Sequence, residues 1–328
     1  MRYIIIGAGA VGGALGGRLF DSGHEVVLVA RGAHLEAMRA HGLRLELADG
    51  EKRLKIPVVE GPAELTARDD DVLVIGVKTQ DTADVLETWG THGHGTAAGG
   101  SGPGPAVVCA QNGVENERLA LRRFSRVYGM CVWLPATYLE PGVVSALCAP
   151  LTGILHLGRY PSGSDTTARA IAADLTGAGF AAPVTEDVMA WKHAKLLGNL
   201  GNAVDAVLGP DDEAGRGLAE RARAEGAAAL TAAGIAYIGA EQQARTRGDR
   251  VVSPRAKRSS TWQSLARGTG SIESDYLNGE IVLLGRRFGV PTPVNEALRR
   301  AANRAARERR APGELTGAER AALLEAAG

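Results

Sequence analysis

Four short segments, each placed directly after a predicted strand, carry residues suited to a phosphorylated dinucleotide. The first is the run Gly7-Ala8-Gly9-Ala10-Val11-Gly12, and the others are residues 30–32, 76–79 and 111–113. Ligands of open α/β sheets bind outside the carboxyl ends of the strands, so four such ends in order predict one binding edge. The sequence therefore indicates a nicotinamide-type dinucleotide cofactor.

The glycine run has the context that separates a dinucleotide-binding loop from chance glycines. It follows a predicted strand at residues 3–6 and precedes a predicted helix, Val11–Ser22. A second predicted strand, Glu25–Ala30, completes a βαβ unit of about 30 residues, the usual size of this motif. We expect the turn between the first strand and the helix to bind the pyrophosphate.

Each glycine of the pattern has a separate expected role. Gly7 permits the tight turn, Gly9 lets the pyrophosphate approach the backbone, and Gly12 allows the helix to pack against the strand. The helix N-terminus, at Ala10 and Val11, offers N–H groups to the phosphates.

The residue after the second predicted strand distinguishes between the two common cofactors. Enzymes that use NAD usually carry Asp or Glu here, whereas this chain has Arg31 and no acid before Glu36. A guanidinium suits a 2′-phosphate better than a bare hydroxyl, so we predict NADPH. Lys78 and Asn112 lie on the same predicted rim, although either alone could be an ordinary solvent-facing residue.

A predicted helix in the second half of the chain, 186–208, carries a polar stripe. Lys192, Lys195, Asn199 and Asn202 fall within 80° of arc at 100° per residue. An unpaired buried charge is costly, so these side chains need water or polar partners, which either a binding cleft or an ordinary wet face would supply.

The chain also resembles the ketopantoate reductases (2-dehydropantoate 2-reductases), a family that joins a Rossmann domain to a helical domain. In the first half the resemblance is carried by GAGAVGG at 7–13, VARGAHLEAM at 29–38, VKTQD at 77–81 and QNGVENE at 111–117. In the second half it is carried by KLLGN at 195–199, SSTWQSLARG at 259–268 and ESDYLNGE at 273–280.

The resemblance implies a role for each matching residue. Lys195 matches the family's general acid, and Glu273 matches its active-site glutamate. Arg31 matches the arginine that binds the cofactor's phosphate, and Lys78 and Asn112 match the cofactor-side lysine and asparagine. Asn199 and Ser260 match the family's substrate-binding asparagine and serine, and Asn112 and Asn202 are further expected substrate-binding residues.

Two departures from the family pattern affect the predicted substrate. Family members commonly carry a second asparagine eight residues after the lysine, where this chain has Ala203 with Asn202 beside it. The spacing from Ser260 to Glu273 is one residue longer than the family pattern. Lys192 remains a competing candidate for the acid.

The predicted fold class is α/β, with a Rossmann domain at 1–183 and an all-helical domain at 184–328. Three closely spaced strands, Val127–Leu134, Val143–Cys148 and Gly153–Leu157, predict an antiparallel extension of the sheet. The predicted helices of the second domain are 186–208, 213–233, 256–266, 272–288 and 294–309.

The composition of the chain limits the kinds of partner that we expect it to bind. The 328 residues include 37 Lys and Arg and 37 Asp and Glu, so the balanced charge gives no reason to expect nucleic acid. No apolar run reaches the roughly 20 residues that span a bilayer, so no membrane is expected. Three scattered cysteines predict core thiols in a cytoplasmic protein, and no metal site is expected.

The low-complexity segment at 91–105 predicts a surface loop. The sequence is compatible with a homodimer but does not determine the oligomeric state.

These observations predict NADPH-dependent reduction of a 2-oxo acid to a 2-hydroxy acid, with 2-dehydropantoate as the leading substrate. Two alternatives stay open. The substrate could be a different branched 2-oxo acid, or the protein could be a non-catalytic NADP-binding sensor. Lys195, Asn199 and Glu273 together argue against the sensor, which has no need of a proton donor.

Overall fold

The computed structural model of the chain describes residues 1–91, 104–209, 212–253 and 258–326. The predicted loop at 91–105 lies almost wholly outside these residues. The strands are β1 (Arg2–Ile6), β2 (Glu25–Val29), β3 (Leu43–Leu47), β4 (Gly50–Leu54), β5 (Val58–Val59), β6 (Asp71–Ile75), β7 (Ala106–Cys109), β8 (Val127–Trp133), β9 (Val143–Ala146), β10 (Ala149–Pro150), β11 (Ile154–Arg159) and β12 (Val251–Val252).

The helices are α1 (Ala10–Asp21), α2 (Gly32–His41), α3 (Thr82–Trp89), α4 (Asn116–Leu121), α5 (Thr166–Gly177), α6 (Val188–Asn199), α7 (Asn202–Val207), α8 (Glu213–Ala232), α9 (Ala240–Arg247), α10 (Ser260–Ala266), α11 (Asn278–Phe288), α12 (Pro293–Arg307) and α13 (Gly317–Ala326).

A seven-stranded sheet is the centre of the first half of the chain, with strand order β11-β8-β7-β6-β1-β2-β5. All neighbours are parallel except β11, which is antiparallel to β8. From β1 the chain first builds outward through β2 and then returns to add β6 on the other side. The order therefore reverses beside β1, and ligands of such sheets bind at this point. The predicted Rossmann-type fold is confirmed.

The predicted antiparallel extension of the sheet is wrong in two of its three strands. β8 pairs with β7 in parallel, so it continues the parallel sheet. β9 leaves the main sheet altogether and pairs in parallel with β3, which also forms a hairpin with β4. Only β11 is antiparallel, as predicted. Pairing partners are set by contacts distant in sequence, which strand patterns alone do not contain.

Helix α1 lies between the seven-stranded main sheet and the small three-stranded sheet β4-β3-β9, and its glycines make this possible. A Cβ on Gly16 would lie 2.6 Å from Leu28 Cδ2 of the main sheet, and one on Gly17 would lie 2.8 Å from Leu45 Cδ2 of the small sheet. A Cβ on Gly13 would lie 2.7 Å from Val144 Cγ2, also of the small sheet. The repeated glycines of this helix therefore let it approach both sheets closely.

The chain divides into two compact units, 1–191 with 240–256 and 192–239 with 257–328. The single predicted boundary near residue 183 differs from this division in two ways. The first unit extends eight residues beyond the predicted boundary, to residue 191. It also includes a later segment of the chain, residues 240–256. That segment carries α9 and β12, so the residues after 183 are not all helical. The described part of the second unit contains helices only, as predicted.

The predicted helix 186–208 is two helices, because it breaks at Leu200 and Gly201 between α6 and α7. Glycine at 198 and 201 weakens the helix locally. The backbone carbonyl of Leu200 also accepts a hydrogen bond from the side chain of Asn278 at 3.0 Å. The predicted helix 272–288 likewise begins only at Asn278, after a short 3₁₀ turn at Ser274–Tyr276, and the helix predicted at 256–266 begins at Ser260.

Other sequence expectations concern excluded features. All three cysteines are buried thiols, as predicted. None of the helices in the described residues has the length and apolar character needed to cross a bilayer. Within the same residues, no group of three or more His, Cys, Asp or Glu side chains could hold a metal ion.

Candidate active site

The loop after β1 has a backbone fixed by its neighbours. The N–H groups of Gly7 and Ala8 both donate to the carbonyl of Val29, at 3.2 and 3.0 Å. Gly7 has φ +98°, and a Cβ there would lie 2.8 Å from the backbone nitrogen of Val77. A Cβ on Gly12 would lie 2.1 Å from the carbonyl oxygen of Gly7. The fold itself therefore requires glycine at positions 7 and 12.

Gly9 differs from the other two, because the space beside it is open. The nearest atom to a Cβ placed there is Tyr138 Cδ1, at 3.9 Å. Gly9 is the N-cap of α1, and Ala10 and Val11 begin the helix. The first N–H groups of a helix have no partner within it, and α1 has no acidic residue in its first turn. This end of α1 can therefore accept an anion.

A basic pair stands at the carboxyl ends of β2 and β6. Arg31 caps α2 and is exposed, and its side chain makes no hydrogen bond within the described residues. Lys78 follows β6 and caps the short 3₁₀ turn that contains Asp81. Desolvation raises the pKa of the Asp81 carboxyl, while the charges of Lys78 and Arg31 both oppose that rise. Both cations therefore lie within electrostatic reach of one carboxylate.

A buried polar network joins the loop after β6 to the loop after β7. Asn116 Nδ2 donates to the carbonyl of Asn112 at 2.9 Å, and Asn116 Oδ1 accepts from Thr82 Oγ1 at 2.8 Å. Gln111 Nε2 donates to Thr82 Oγ1 and to the carbonyl of Val77, both at 2.8 Å. These bonds fix the backbone on either side of the predicted cofactor residues. Sequence reasoning missed Thr82, Gln111 and Asn116, although polar residues just after apolar strands were the available signal.

His34 holds the glycine loop from a second direction. It is buried, its Nδ1 accepts the N–H of Gly142 at 2.8 Å, and its Nε2 lies 2.8 Å from the carbonyl of Ala8. Because Nδ1 accepts, the proton is on Nε2, which donates to Ala8. The ring also packs on Tyr138, with centroids 4.3 Å apart. Sequence reasoning missed this residue, for which a lone histidine gave no signal.

In the second unit, α6 carries Lys195 and Asn199 one turn apart, so the two side chains share a face. Lys195 is partly exposed, whereas Lys192 is 3% exposed. The Nδ2 atom of Asn199 is buried and has no hydrogen-bond partner in the described part of the chain. A buried amide without a partner is unusual and costs about 1–3 kcal/mol, so it points to a ligand that supplies the missing acceptor.

Asn202 and Ser260 come from two helices that are tied together. Ser259, the N-cap of α10, accepts the N–H of Trp262 at 3.1 Å and donates its own N–H to Asp205 of α7 at 2.9 Å. This bond fixes the start of α10, where Ser260 lies, against α7, which begins at Asn202. The helix break thus moves Asn202 off the single stripe that the sequence predicted.

Glu273 lies at the start of the 3₁₀ turn before α11, and its carbonyl accepts the N–H of Tyr276 at 2.9 Å. It is partly buried. Five residues later, Asn278 donates to the carbonyl of Leu200 at the end of α6. The segment that carries Glu273 is therefore anchored beside the end of the helix that carries Lys195 and Asn199.

Comparison with protein families assigns the chain. The family model described as "Ketopantoate reductase PanE/ApbA" matches residues 3–161, and the model described as its C terminal matches residues 187–306. The chain belongs to the ketopantoate reductase family. It is therefore an oxidoreductase acting on a CH–OH group. The sequence resemblance is confirmed.

Individual relatives extend over nearly the whole chain. A 2-dehydropantoate 2-reductase of Mesorhizobium japonicum is 30% identical over 341 aligned residues, covering 94% of this chain and 99% of the relative. The solved structure of a PanE/ApbA family ketopantoate reductase from Ralstonia eutropha JMP134 is 28% identical with a TM-score of 0.76, covering 94% and 99%. A D-mandelate dehydrogenase with NADH and anilino(oxo)acetate shares the fold at 22% identity, with a TM-score of 0.79 and coverage of 94% and 99%.

This ketopantoate reductase family member departs from the family pattern at Ala203. Ala203 is 1% exposed, so its side chain packs in the interior of the second unit, while the neighbouring Asn202 is partly exposed. An alanine there supplies no hydrogen-bonding group. The polar contact implied by the family pattern would have to come from Asn202 or be absent.

The break between α6 and α7 depends on a buried amide network. Asn278 is 1% exposed, and its Nδ2 donates to the carbonyl of Leu200 and to Asn295 Oδ1, both at 3.0 Å. Asn295 in turn donates to the carbonyl of Ala222 at 2.9 Å and to Glu225 at 2.7 Å. The network joins α8, α11 and α12 to the end of α6. Asn278 is the asparagine of the DYLNGE segment, so its position in that motif has a structural reason.

We expect Asn278→Leu to lower the free energy of unfolding by about 3 kcal/mol, since two buried oxygens lose their donor. Urea unfolding followed by circular dichroism measures this. Asn303→Leu is the matched control, because Asn303 donates to Asp275 at an exposed position and its loss should cost under about 1 kcal/mol. Equal stability of the two variants would show that the helix break does not depend on Asn278.

Proposed function

We propose that the protein reduces a 2-oxo acid to a 2-hydroxy acid with NADPH, and that 2-dehydropantoate is the leading substrate. The observation that carries this proposal is the face of α6, where an ammonium at Lys195 stands one turn before the unpartnered amide of Asn199. A substrate with a carbonyl and a carboxylate offers an acceptor for the Asn199 amide and oxygens that the Lys195 ammonium can approach.

The first unit has a donor set that fits a phosphorylated dinucleotide. The open space beside Gly9 and the start of α1 would admit the pyrophosphate. Arg31 would pair with a 2′-phosphate, and Lys78 and Asn112 would also contact the cofactor. When bound, the reduced nicotinamide supplies the hydride for the 2-oxo carbon.

The second unit would handle the charge and the proton. As the carbonyl oxygen becomes negative, the Nζ of Lys195 stabilises that charge and donates its proton. Glu273 orients the ammonium or accepts the substrate hydroxyl. The amides of Asn199 and Asn202 and the hydroxyl of Ser260 position the carboxylate and hydroxyl without adding net charge.

Turnover is tested by following the absorbance of NADPH with 2-dehydropantoate as substrate. A specificity constant higher than that for other 2-oxo acids supports the leading substrate. Buried Ala203 favours a second candidate, a different branched 2-oxo acid, because the polar group of the family pattern is missing there. A higher specificity constant for such an acid would select it. No oxidation with any 2-oxo acid would refute both.

The choice between NADPH and NADH depends on Arg31. We expect Arg31→Ala to raise the KM for NADPH by about tenfold or more, since a charge-assisted hydrogen bond contributes about 1.5–3 kcal/mol, and to leave the KM for NADH nearly unchanged. Steady-state kinetics with both cofactors measure this. Arg39→Ala is the control, because Arg39 is on the same helix but pairs with Glu64 at 2.9 Å. An equal rise for both cofactors would count against a contact to the 2′-phosphate.

A further inference from the structure

The first unit contains a cavity far along the chain from the glycine loop. One wall is formed by the segment 240–253, which carries α9 and β12 and which we call the returning segment. Residues 181–185, His156 of β11 and Trp191 of α6 also line it. The volume is about 590 Å³, within the range of sites that bind small molecules.

His156 is a buried group whose polar atoms are unused. It is 2% exposed, and neither ring nitrogen has a hydrogen-bond partner among the residues that the structure describes. The ring stacks on Trp191, with centroids 3.7 Å apart and planes at 17°. Burial, with a smaller effect from the charge of Arg250, lowers the pKa of His156 to about 4. At neutral pH the ring is therefore uncharged, with one N–H donor and one acceptor, both unsatisfied.

Arginine is the one formally charged residue type among the described residues that line the cavity. Arg250 of the returning segment lines it, and Arg247 of the same segment lies over the ring of Trp133, 4.7 Å from the centroid. Trp133 makes edge contacts with both His156 and Trp191. Of the described residues that line the cavity, none is an aspartate or a glutamate. The guanidinium of Arg250 is therefore available to pair with an anionic group of a ligand.

The remaining wall is apolar. Residues 181–184 are Ala, Ala, Pro and Val, and they face the cavity beside the stacked rings. Thr176, Thr185 and Thr246 also line the cavity. A ligand that fits must combine an anionic group for Arg250, a hydrogen-bonding atom for His156 and a flat apolar body.

We propose that this cavity binds a small organic carboxylate with a planar apolar body. The carboxylate pairs with Arg250 and hydrogen-bonds His156, while the body packs on Trp191 and the apolar residues of the wall. None of the residues that line the cavity is a proposed substrate or cofactor residue, and the proposal does not depend on the proposed reaction.

Isothermal titration calorimetry with 2-naphthoate tests the proposal, with uncharged 2-naphthalenemethanol as the matched probe. We expect saturable binding of the acid at one site, with and without NADPH, and binding of the alcohol about tenfold weaker. Arg250→Met should weaken the acid by about tenfold and leave the alcohol unchanged. His156→Phe, which keeps the stacked ring, should weaken the acid about fivefold.

Arg245→Met is the control variant. Arg245 is exposed on α9 of the returning segment and is not among the residues that line the cavity, so this change should leave the affinity for 2-naphthoate unaltered. Arg250 is also exposed, so its variant is expected to fold, and a circular dichroism melt verifies that. Absence of saturable binding, or equal affinity of the wild-type protein and Arg250→Met for 2-naphthoate, would overturn the proposal.

Discussion

Replacing Lys195 with methionine is expected to lower kcat by about a hundredfold or more, within the range that general acid catalysis supplies. The methionine side chain keeps the length and apolar part of lysine but removes the ammonium that would stabilise the developing alkoxide. Affinity for the cofactor should stay close to that of the wild type. Single-turnover and steady-state measurements with 2-dehydropantoate and NADPH give both quantities.

Lys192→Met separates the two candidate acids. Lys192 is one turn before Lys195 and is almost fully buried, so its replacement is expected to change stability more than kcat. We expect kcat of this variant to remain within about tenfold of the wild type. A hundredfold loss in Lys192→Met together with near-native turnover in Lys195→Met would transfer the role of acid to Lys192.

The second large effect concerns the glycine loop. Gly12→Ala is expected to destabilise the fold, whereas Gly9→Ala is expected to weaken cofactor binding. A Cβ on Gly12 would lie 2.1 Å from the carbonyl oxygen of Gly7, so Gly12→Ala must displace backbone. We expect it to lower the free energy of unfolding by about 3 kcal/mol or more. Gly9→Ala meets nothing within 3.9 Å and should cost no more than about 1 kcal/mol.

Cofactor binding should respond to both changes, although only Gly9→Ala is expected to leave the stability of the fold nearly unchanged. We expect Gly9→Ala to weaken NADPH at least tenfold, because the methyl group occupies the space through which a pyrophosphate approaches the backbone. Thermal unfolding and fluorescence titration with NADPH separate the two effects. Native affinity in Gly9→Ala would mean that the phosphates bind elsewhere.

The parts of the fold that are encoded locally could be predicted from the sequence. The strand at residues 3–6, the glycine turn and the first helix are specified within about 20 neighbouring residues, and the structure has all three. The position of Arg31 after β2 follows from the same βαβ unit. The roles of Arg31, Lys195 and Glu273 remain predictions, because sequence and fold show position rather than chemistry.

The remaining features of the fold and of the candidate site depend on contacts between residues far apart in the chain, so the sequence did not reveal them. Leu200 is 78 residues from Asn278, whose side chain stabilises the helix break, so a periodic pattern around Leu200 could not reveal it. The partner of β9 is β3, about 100 residues earlier, and periodicity contains no information on such pairing. The orphaned amide of Asn199 and the unused nitrogens of His156 are visible only once the surrounding atoms are placed.

Because residues 240–256 belong to the first unit, that unit cannot be completed until residues 192–239 of the second unit have been synthesised. Cys148 and Ile154 pack with Val251, and Leu151 N–H bonds the carbonyl of Arg250, so this apolar edge is incomplete until residue 252 leaves the ribosome. By then α8 has already been translated. The apolar residues at this edge of the first unit therefore stay exposed while part of the second unit is synthesised. Chaperones would have most to protect during that interval.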